Sequence, residues 1–388
     1  MLVDLHAHFP MHLLPDAQQQ THERARTWWR QRTLARIVGF ISRFRNYQGP
    51  GDTPSVTEML MAEGDVGVAL SMLYQPFDEI DLTQSYGASP RETYFDDIVA
   101  QHRMVEDYVA DHSTTVAIAH SARELDTLLA GKVPVLIHAV EGGFQLGGDT
   151  IQVQKNVRTL AGLGVAYVTV AHLFFRDVAT NAPALPFLSD WLYNRIFPQK
   201  KSQGLTSLGQ EIVEAMIDEG ILIDITHMRS ESIRDVLNLL TARDPGKEIP
   251  VIATHMAYRF GGLEYCFDDD TIRAIAERGG VLGCILCEHY ITSGLPGTVT
   301  SFKESFGALC RHIDKIHELT GTYDNVAIGS DLDGYIKPAL PGFEHMGRMD
   351  ALQSDLRARY GDADAEKICS ANALRVLRKE WGHKRPRP

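Results

Sequence analysis

Short apolar runs alternate along the chain with longer stretches in which hydrophobic residues recur every three or four positions. The runs are Leu2–His8, Val66–Tyr74, Val135–Val140, Ala166–His172, Ile221–His227, Val251–His255, Val281–Leu286 and Val326–Gly329. The amphipathic stretches between them include Gln210–Glu219, Ser230–Leu240, Asp269–Glu277 and Lys303–Leu319. Brief, nearly continuous apolar runs are the mark of strands buried on both faces, and their alternation with helices predicts a parallel sheet covered by helices. Eight such units predict a closed (β/α)8 TIM barrel more than an open sheet. One further run, Thr115–His120, competes for strand status and is expected to be an extra strand or a loop.

Two stretches exceed ordinary strand-to-helix loops. Residues 12–55 contain THERARTWWRQRTLARIVGFISRFR, dense in Arg and aromatics, and predict a helical insertion after the first strand. Long insertions of this kind tend to cover the barrel mouth. A subunit interface, which would make the protein a homodimer, and a membrane-surface helix are the other readings. Residues 175–204 contain PALPFLSDWLYNRIFPQKK and are expected to form part of a pocket wall. The whole chain, 1–388, reads as one barrel domain carrying this insertion.

Composition narrows the class. A chain of 388 residues, 44% of them hydrophobic, can bury a large core. Its net charge of -12, from 38 Lys and Arg against 50 Asp and Glu, argues against a nucleic-acid partner, which would want a basic face. No apolar run approaches the roughly 18 residues needed to span a bilayer. Met1 leads almost directly into VDLHAH, and the closing WGHKRPRP is polar, so neither an export signal nor a membrane anchor is expected. Five scattered cysteines do not form a disulfide framework, which favours a reducing, cytoplasmic setting.

Candidate chemistry sits where the apolar runs end. In a barrel of this kind the active site lies at the C-terminal ends of the strands. LVDLHAH ends in His6 and His8, LIHAVEGG delivers Glu141, YVTVAH ends in His172, ILIDITH in His227, VIATH in His255, and VAIGSDLDG in Asp331 and Asp333. Six ends converging on metal-ligand residue types are hard to explain by packing alone. His6 and His8, one residue apart, point to the same face of a strand and can grip one ion. Glu141 is the candidate bridge between two ions, with Gly142 and Gly143 letting the backbone turn beside it. His227 and His255 would hold the second ion, although each taken alone reads equally as a satisfied barrel histidine. Asp331 is the candidate proton carrier, with Asp333 either its rival or a loop cap. His172 could polarise the scissile carbonyl; the plain alternative is a hydrogen-bonded wall residue. Asp224 lies off the spacing that would pair it with His227 and reads as structural. Cys284 and Cys287 read as buried small hydrophobes, and His312, His317 and His383 as solvated.

The ordered set resembles the membrane (renal) dipeptidase family of the amidohydrolase superfamily, as a divergent cytoplasmic, bacterial-type member. Matching segments are AVEGG around Glu141, LGVAYVTVAH up to His172, SQGLTSLGQEIVEAMIDEGILIDITHM through His227, ATHMAY at His255 and AIGSDLDG at Asp331. The resemblance implies a binuclear zinc barrel, two Zn2+ per chain, that cleaves dipeptides and tolerates a D-configured or dehydro C-terminal residue. It further implies that Glu141 bridges the metals, His172 contacts substrate and Asp331 handles the proton. Two positions depart from the family. Its animal members carry HxD in the first strand where this chain has His6-Ala7-His8, and the Arg that holds the substrate carboxylate beyond the second-metal histidine is absent from GGLEYCFDDD. Arg259 and Arg229 stand as substitutes, with Tyr258 a further candidate substrate contact.

The function expected is attack of a metal-activated hydroxide on the amide carbonyl of a small dipeptide-like substrate. Action on another small amide, an N-acyl amino acid or a lactone is the second reading, because fold does not fix substrate. A barrel that has lost catalysis and acts as a binding protein is the third.

Overall fold

The computed structural model describes residues 1–13, 53–81, 84–186, 188–200, 202–334 and 339–387. The helical insertion expected over 12–55 lies, apart from its ends, outside these residues. Nine parallel strands are present among the described residues: β1 (Leu2–Ala7), β2 (Val66–Leu73), β3 (Ala117–Ile118), β4 (Val135–Glu141), β5 (Tyr167–Thr169), β6 (Leu222–Asp224), β7 (Val251–Met256), β8 (Val281–Cys284) and β9 (Val326–Ile328). β1 pairs with both β2 and β9, and β2 pairs with β4, so the ladder closes as an eight-stranded barrel with helices around it. The contested run at 115–120 resolves into β3, which stays outside the eight. Ala117 and Ile118 pair with the start of β4, while β5 takes the end of the same edge at Val140 and Glu141.

The apolar runs outlast the ladders. Val170, Ala171, Ile225 and Thr226 lie past the ends of β5 and β6 yet remain buried, so the pattern extends each strand into its loop. Two layers of core result. Val68, Leu70, Ile137, Ala139, Tyr167, Leu222 and Ile252 cluster with Leu374, Leu377 and Trp381, at and just past the C-terminal helix Asn372–Glu380. The second layer joins strand residues such as Val140 and Val168 to Val157 and Leu160 of helix Thr150–Gly162 and to Ile212 and Met216 of helix Ser207–Glu219. Helix starts follow the capping residues: Thr206 accepts from Gly209 N and Asp149 from Gln152 N, and Gly220 closes its helix in the left-handed region at φ 72°.

Two strands break period-2 alternation where chemistry begins. Between Asp4 and Ala7 β1 advances three residues while β2 advances two, from Ala69 to Ser71. β7 does the same against β8 between Ala253 and Met256. A bulge of this kind re-aims a side chain. It lets Leu5 join the inner core while His6 also reaches inner side chains, and lets Thr254 and His255, adjacent in sequence, contact each other and the same interior.

His312, expected to be solvated, is instead fully buried within helix Phe302–Thr320. Its Nδ1 accepts from Tyr258 N at 2.9 Å, which leaves Nε2 to donate to Ile291 O at 2.9 Å. None of the five cysteines forms a disulfide and all are buried, Cys284 and Cys287 as their apolar run suggests.

Candidate metal centre

Glu141, the last residue of β4, stands at the middle of the strand ends. Its Oε1 lies 3.2 Å from His6 Nε2, 3.3 Å from His172 Nε2, 3.6 Å from His255 Nε2 and 3.7 Å from His227 Nε2. Its Oε2 lies 3.5 Å from His8 Nε2. Asp331 Oδ1 sits 3.3 Å from His8 Nε2, and the two facing Nε2 atoms of His227 and His255 are 3.0 Å apart. All seven side chains are buried. Gly142 turns the chain immediately after Glu141 at φ 105°, a conformation L side chains rarely adopt. His227 (φ 67°) and Asp331 (φ 59°) hold left-handed conformations of their own just past β6 and β9.

The residues fit divalent cations. His6, Glu141 and His255 form one group with ligand atoms within 4.8 Å of one another; His6, His8 and Asp331 form another, and Glu141, His172 and His227 a third. Imidazole nitrogens and carboxylate oxygens are the donors zinc accepts at about 2.0–2.2 Å, which sets neighbouring ligand atoms roughly 3.3 Å apart in a tetrahedron. Burial alone would raise the Glu141 carboxyl, but the His172 and His6 rings outweigh it and hold the group well below the usual carboxylate range.

A layer of hydrogen bonds orients these groups. His6 Nδ1 meets Tyr167 Oη at 2.9 Å and Thr254 Oγ1 at 3.2 Å, and His255 Nδ1 meets the same Thr254 Oγ1 at 3.0 Å. Asp224 accepts from Thr169 Oγ1, Thr254 Oγ1 and N, and Thr226 Oγ1 and N, which ties β5, β6 and β7 together. Asp4 bridges β1 and β9 by accepting from His6 N and Ser330 N, and burial pushes its carboxyl up to about 6 despite those bonds.

Glu79 was not legible as a site residue. It ends the short helix Pro76–Glu79 after β2, in a mouth loop whose only signal is the acidic FDEID. Its Oε2 lies 2.7 Å from His172 Nδ1 and accepts from Tyr74 Oη at 2.7 Å; its Oε1 accepts from Phe174 N at 2.9 Å. Arg176 fixes the same turn by donating to the carbonyls of Glu79 (2.8 Å) and Asp78 (3.1 Å). Burial would lower His172, but Glu141 at one ring nitrogen and Glu79 at the other push it up to about 9.

Three substrate candidates and Asp333 are engaged elsewhere. Asp333 accepts from Ser55 N and Val56 N, clamping the chain where it returns to the barrel. Arg229 pairs with Glu264 Oε2 at 2.9 Å, and Arg259 donates to the carbonyls of Cys266 (2.7 Å) and Glu264 (3.1 Å). Tyr258 donates its hydroxyl to Asp269 at 2.8 Å and carries Lys315 over its ring. Glu264 N in turn donates to Asp190 in the 175–204 stretch, which joins that segment to the loop after β7.

No helix among the described residues is long and apolar enough to cross a membrane. The fold is shared with solved structures of low sequence identity. A dipeptidase described as a metallopeptidase of family M19 is 18% identical, with a TM-score of 0.72 and 98% of each chain covered. A metallopeptidase from Rhodobacter sphaeroides, solved with a phosphinate mimic of the dipeptide L-Ala-D-Ala, is also 18% identical with a TM-score of 0.72, covering 98% of this chain and 99% of that one. An amidohydrolase from Pseudomonas aeruginosa is 16% identical with a TM-score of 0.62, covering 84% and 92%. The sequence itself matches the family described as membrane dipeptidase (peptidase family M19) over residues 1–386. The chain therefore belongs to the membrane dipeptidase family, peptidase family M19, whose members are metal-dependent dipeptidases.

Proposed function

We propose that this protein is a binuclear zinc dipeptidase that accepts a D-configured or dehydro C-terminal residue, working in a reducing, cytoplasmic setting. The observation that carries the reading is the convergence of five imidazoles within 3.7 Å of one buried carboxylate, Glu141. His6, His8, His227, His255 and Glu141 would hold the two Zn2+ ions. Zinc bound there would supply Lewis acidity toward a substrate carbonyl and a water. Asp331 takes the proton of the attacking water and returns it to the leaving amine. His172 Nε2 faces the developing oxyanion, its ring fixed from behind by Glu79. Arg229 or Arg259 holds the substrate carboxylate, displacing the contacts each makes around Glu264. The ligand in the Rhodobacter relative, an L-Ala-D-Ala mimic, supports testing L–D dipeptides first.

A second reading keeps the metals but changes the bond to an N-acyl amino acid, another small amide or a lactone. The engagement of both arginines favours it, because a dipeptide needs a cation for its carboxylate. Turnover by zinc-loaded protein of L–L and L–D dipeptides, N-acyl amino acids and lactones separates the two. Asp331→Asn is expected to lower turnover of the best substrate by at least about 100-fold, the usual order for a positioned general base. Near-wild-type turnover would remove Asp331 from the mechanism.

A further inference from the structure

A second set of ligand-type side chains lies on the opposite face of β4. His138 is three residues before Glu141, so the two project to opposite sides of the strand. His138 is fully buried and faces helix Thr93–Asp111, which brings His102 and Glu106 on one face, four residues apart. His120, just past β3, completes the set from the solvent side.

The four side chains meet at one atom. Glu106 Oε1 lies 2.8 Å from His120 Nε2, 3.0 Å from His138 Nε2 and 3.6 Å from His102 Nε2. His102, Glu106 and His138 place ligand atoms within 4.8 Å of one another, as the three catalytic groups do. The separations bracket the roughly 3.3 Å edge of a tetrahedron of zinc ligands and overlap the 3.2–3.7 Å range around Glu141. His120 and His138 hydrogen-bond to this oxygen, and His102 Nε2 lies between it, at 3.6 Å, and Leu163 O, at 3.3 Å; a cation among the four donors would take the place of these bonds. His120 Nδ1 sits 3.2 Å from Glu124 Oε2, the outer carboxylate that commonly orients a metal-bound histidine.

We propose that His102, Glu106, His120 and His138 form a third metal site that binds one divalent transition-metal ion, Zn2+ above all, on the outer wall of the barrel. Three imidazoles and one carboxylate suit a borderline ion such as Zn2+ better than Mg2+ or Ca2+, which favour oxygen-only shells. The ion enters from solvent, since the Glu106 and His120 side chains are 31% and 41% exposed. Its role is structural: it fastens helix Thr93–Asp111 and the end of β3 to β4, the strand that presents Glu141.

The test is a difference in metal content, independent of how many ions the catalytic cluster holds. Wild type, His120→Ala and Glu106→Gln are equilibrated with Zn2+, freed of excess, and analysed for zinc per chain. Each variant is expected to hold one equivalent fewer than wild type, with turnover at saturating zinc unchanged. The same comparison in a Glu141→Gln, His8→Ala background separates this site from the catalytic one: one equivalent remains, and His120→Ala removes it. Co2+-loaded protein in that background should show a visible absorption band of a four-coordinate ion that vanishes with His120→Ala. Equal zinc content in wild type and both variants would mean the cluster is an ion-pair network only, and the proposal would fall.

Discussion

Replacing Glu79 by Gln tests the oxyanion assignment without touching any proposed metal ligand. In the wild type the Glu79 carboxylate accepts from His172 Nδ1, Tyr74 Oη and Phe174 N. With Nδ1–H bound to the Glu79 carboxylate, the ring can donate from Nε2 only as an imidazolium, the form that carboxylate favours. A glutamine keeps an acceptor for Phe174 N but turns an amide N–H toward His172 Nδ1. The ring then accepts there and donates from Nε2 in the neutral form. Removing an oxyanion donor outright costs about 2.7–4 kcal/mol, and a charge-assisted bond is about twice as strong as a neutral one. Converting the donor from charged to neutral should therefore cost about half of that, roughly 1.4–2 kcal/mol, or about 10- to 30-fold in kcat. KM should change little, because the donor acts on charge that develops only in the transition state. Glu79→Asp, which keeps the charge at shorter reach, should recover part of the loss. The assay is steady-state kinetics on the best dipeptide, with urea unfolding run alongside to separate activity from folding. A folded Glu79→Gln protein with kcat within twofold of wild type would refute the charged-donor reasoning.

Other consequences can be checked singly. Buried His312 has its pKa lowered to about 4, so between that value and 6.5 the unfolded chain binds a proton that the folded one refuses. Its contribution is complete above about pH 6.5 and is lost as pH falls toward 4; at about 1.4 kcal/mol per unit, wild type should lose roughly 2 kcal/mol more than His312→Gln between pH 7 and 5 in urea titrations. Asp224→Ala strands the donors of Thr169, Thr226 and Thr254, and at about 1–3 kcal/mol for each buried donor left unsatisfied it should lower unfolding free energy by more than about 3 kcal/mol; Asn should lose less. Chelation should lower the melting temperature by several degrees, since an ion at about 100 times its Kd adds about 2.7 kcal/mol, and zinc readdition should restore it in wild type.

The barrel and the residues gathered at its mouth were legible because both follow from simple rules. Continuous apolar runs are buried on both faces, and a polar residue ending such a run projects at the barrel's rim. His6, His8, Glu141, His172, His227, His255 and Asp331 all end up within one buried cluster for that reason. Period-2 reasoning could not foresee the bulges at His6 and His255, since a bulge depends on the neighbouring strand's register. It also missed Glu79, whose place is set by Arg176 from a distant loop, and the burial of His312, whose helix carries it against the loop after β7. Strand ends were overextended because loops at the mouth stay dry.

His227 and Asp331 adopt backbone angles that glycine tolerates far better than residues with a β-carbon. Each is thus a spot where the chain gives up roughly 1 kcal/mol to aim a side chain into the cluster around Glu141. A library selected only for surviving heat should drift toward glycine at 227 and glycine or asparagine at 331, gaining robustness while going silent on substrate. Turnover and heat tolerance pull against each other at these two positions, so any hardier version of the enzyme must find its gains elsewhere in the barrel.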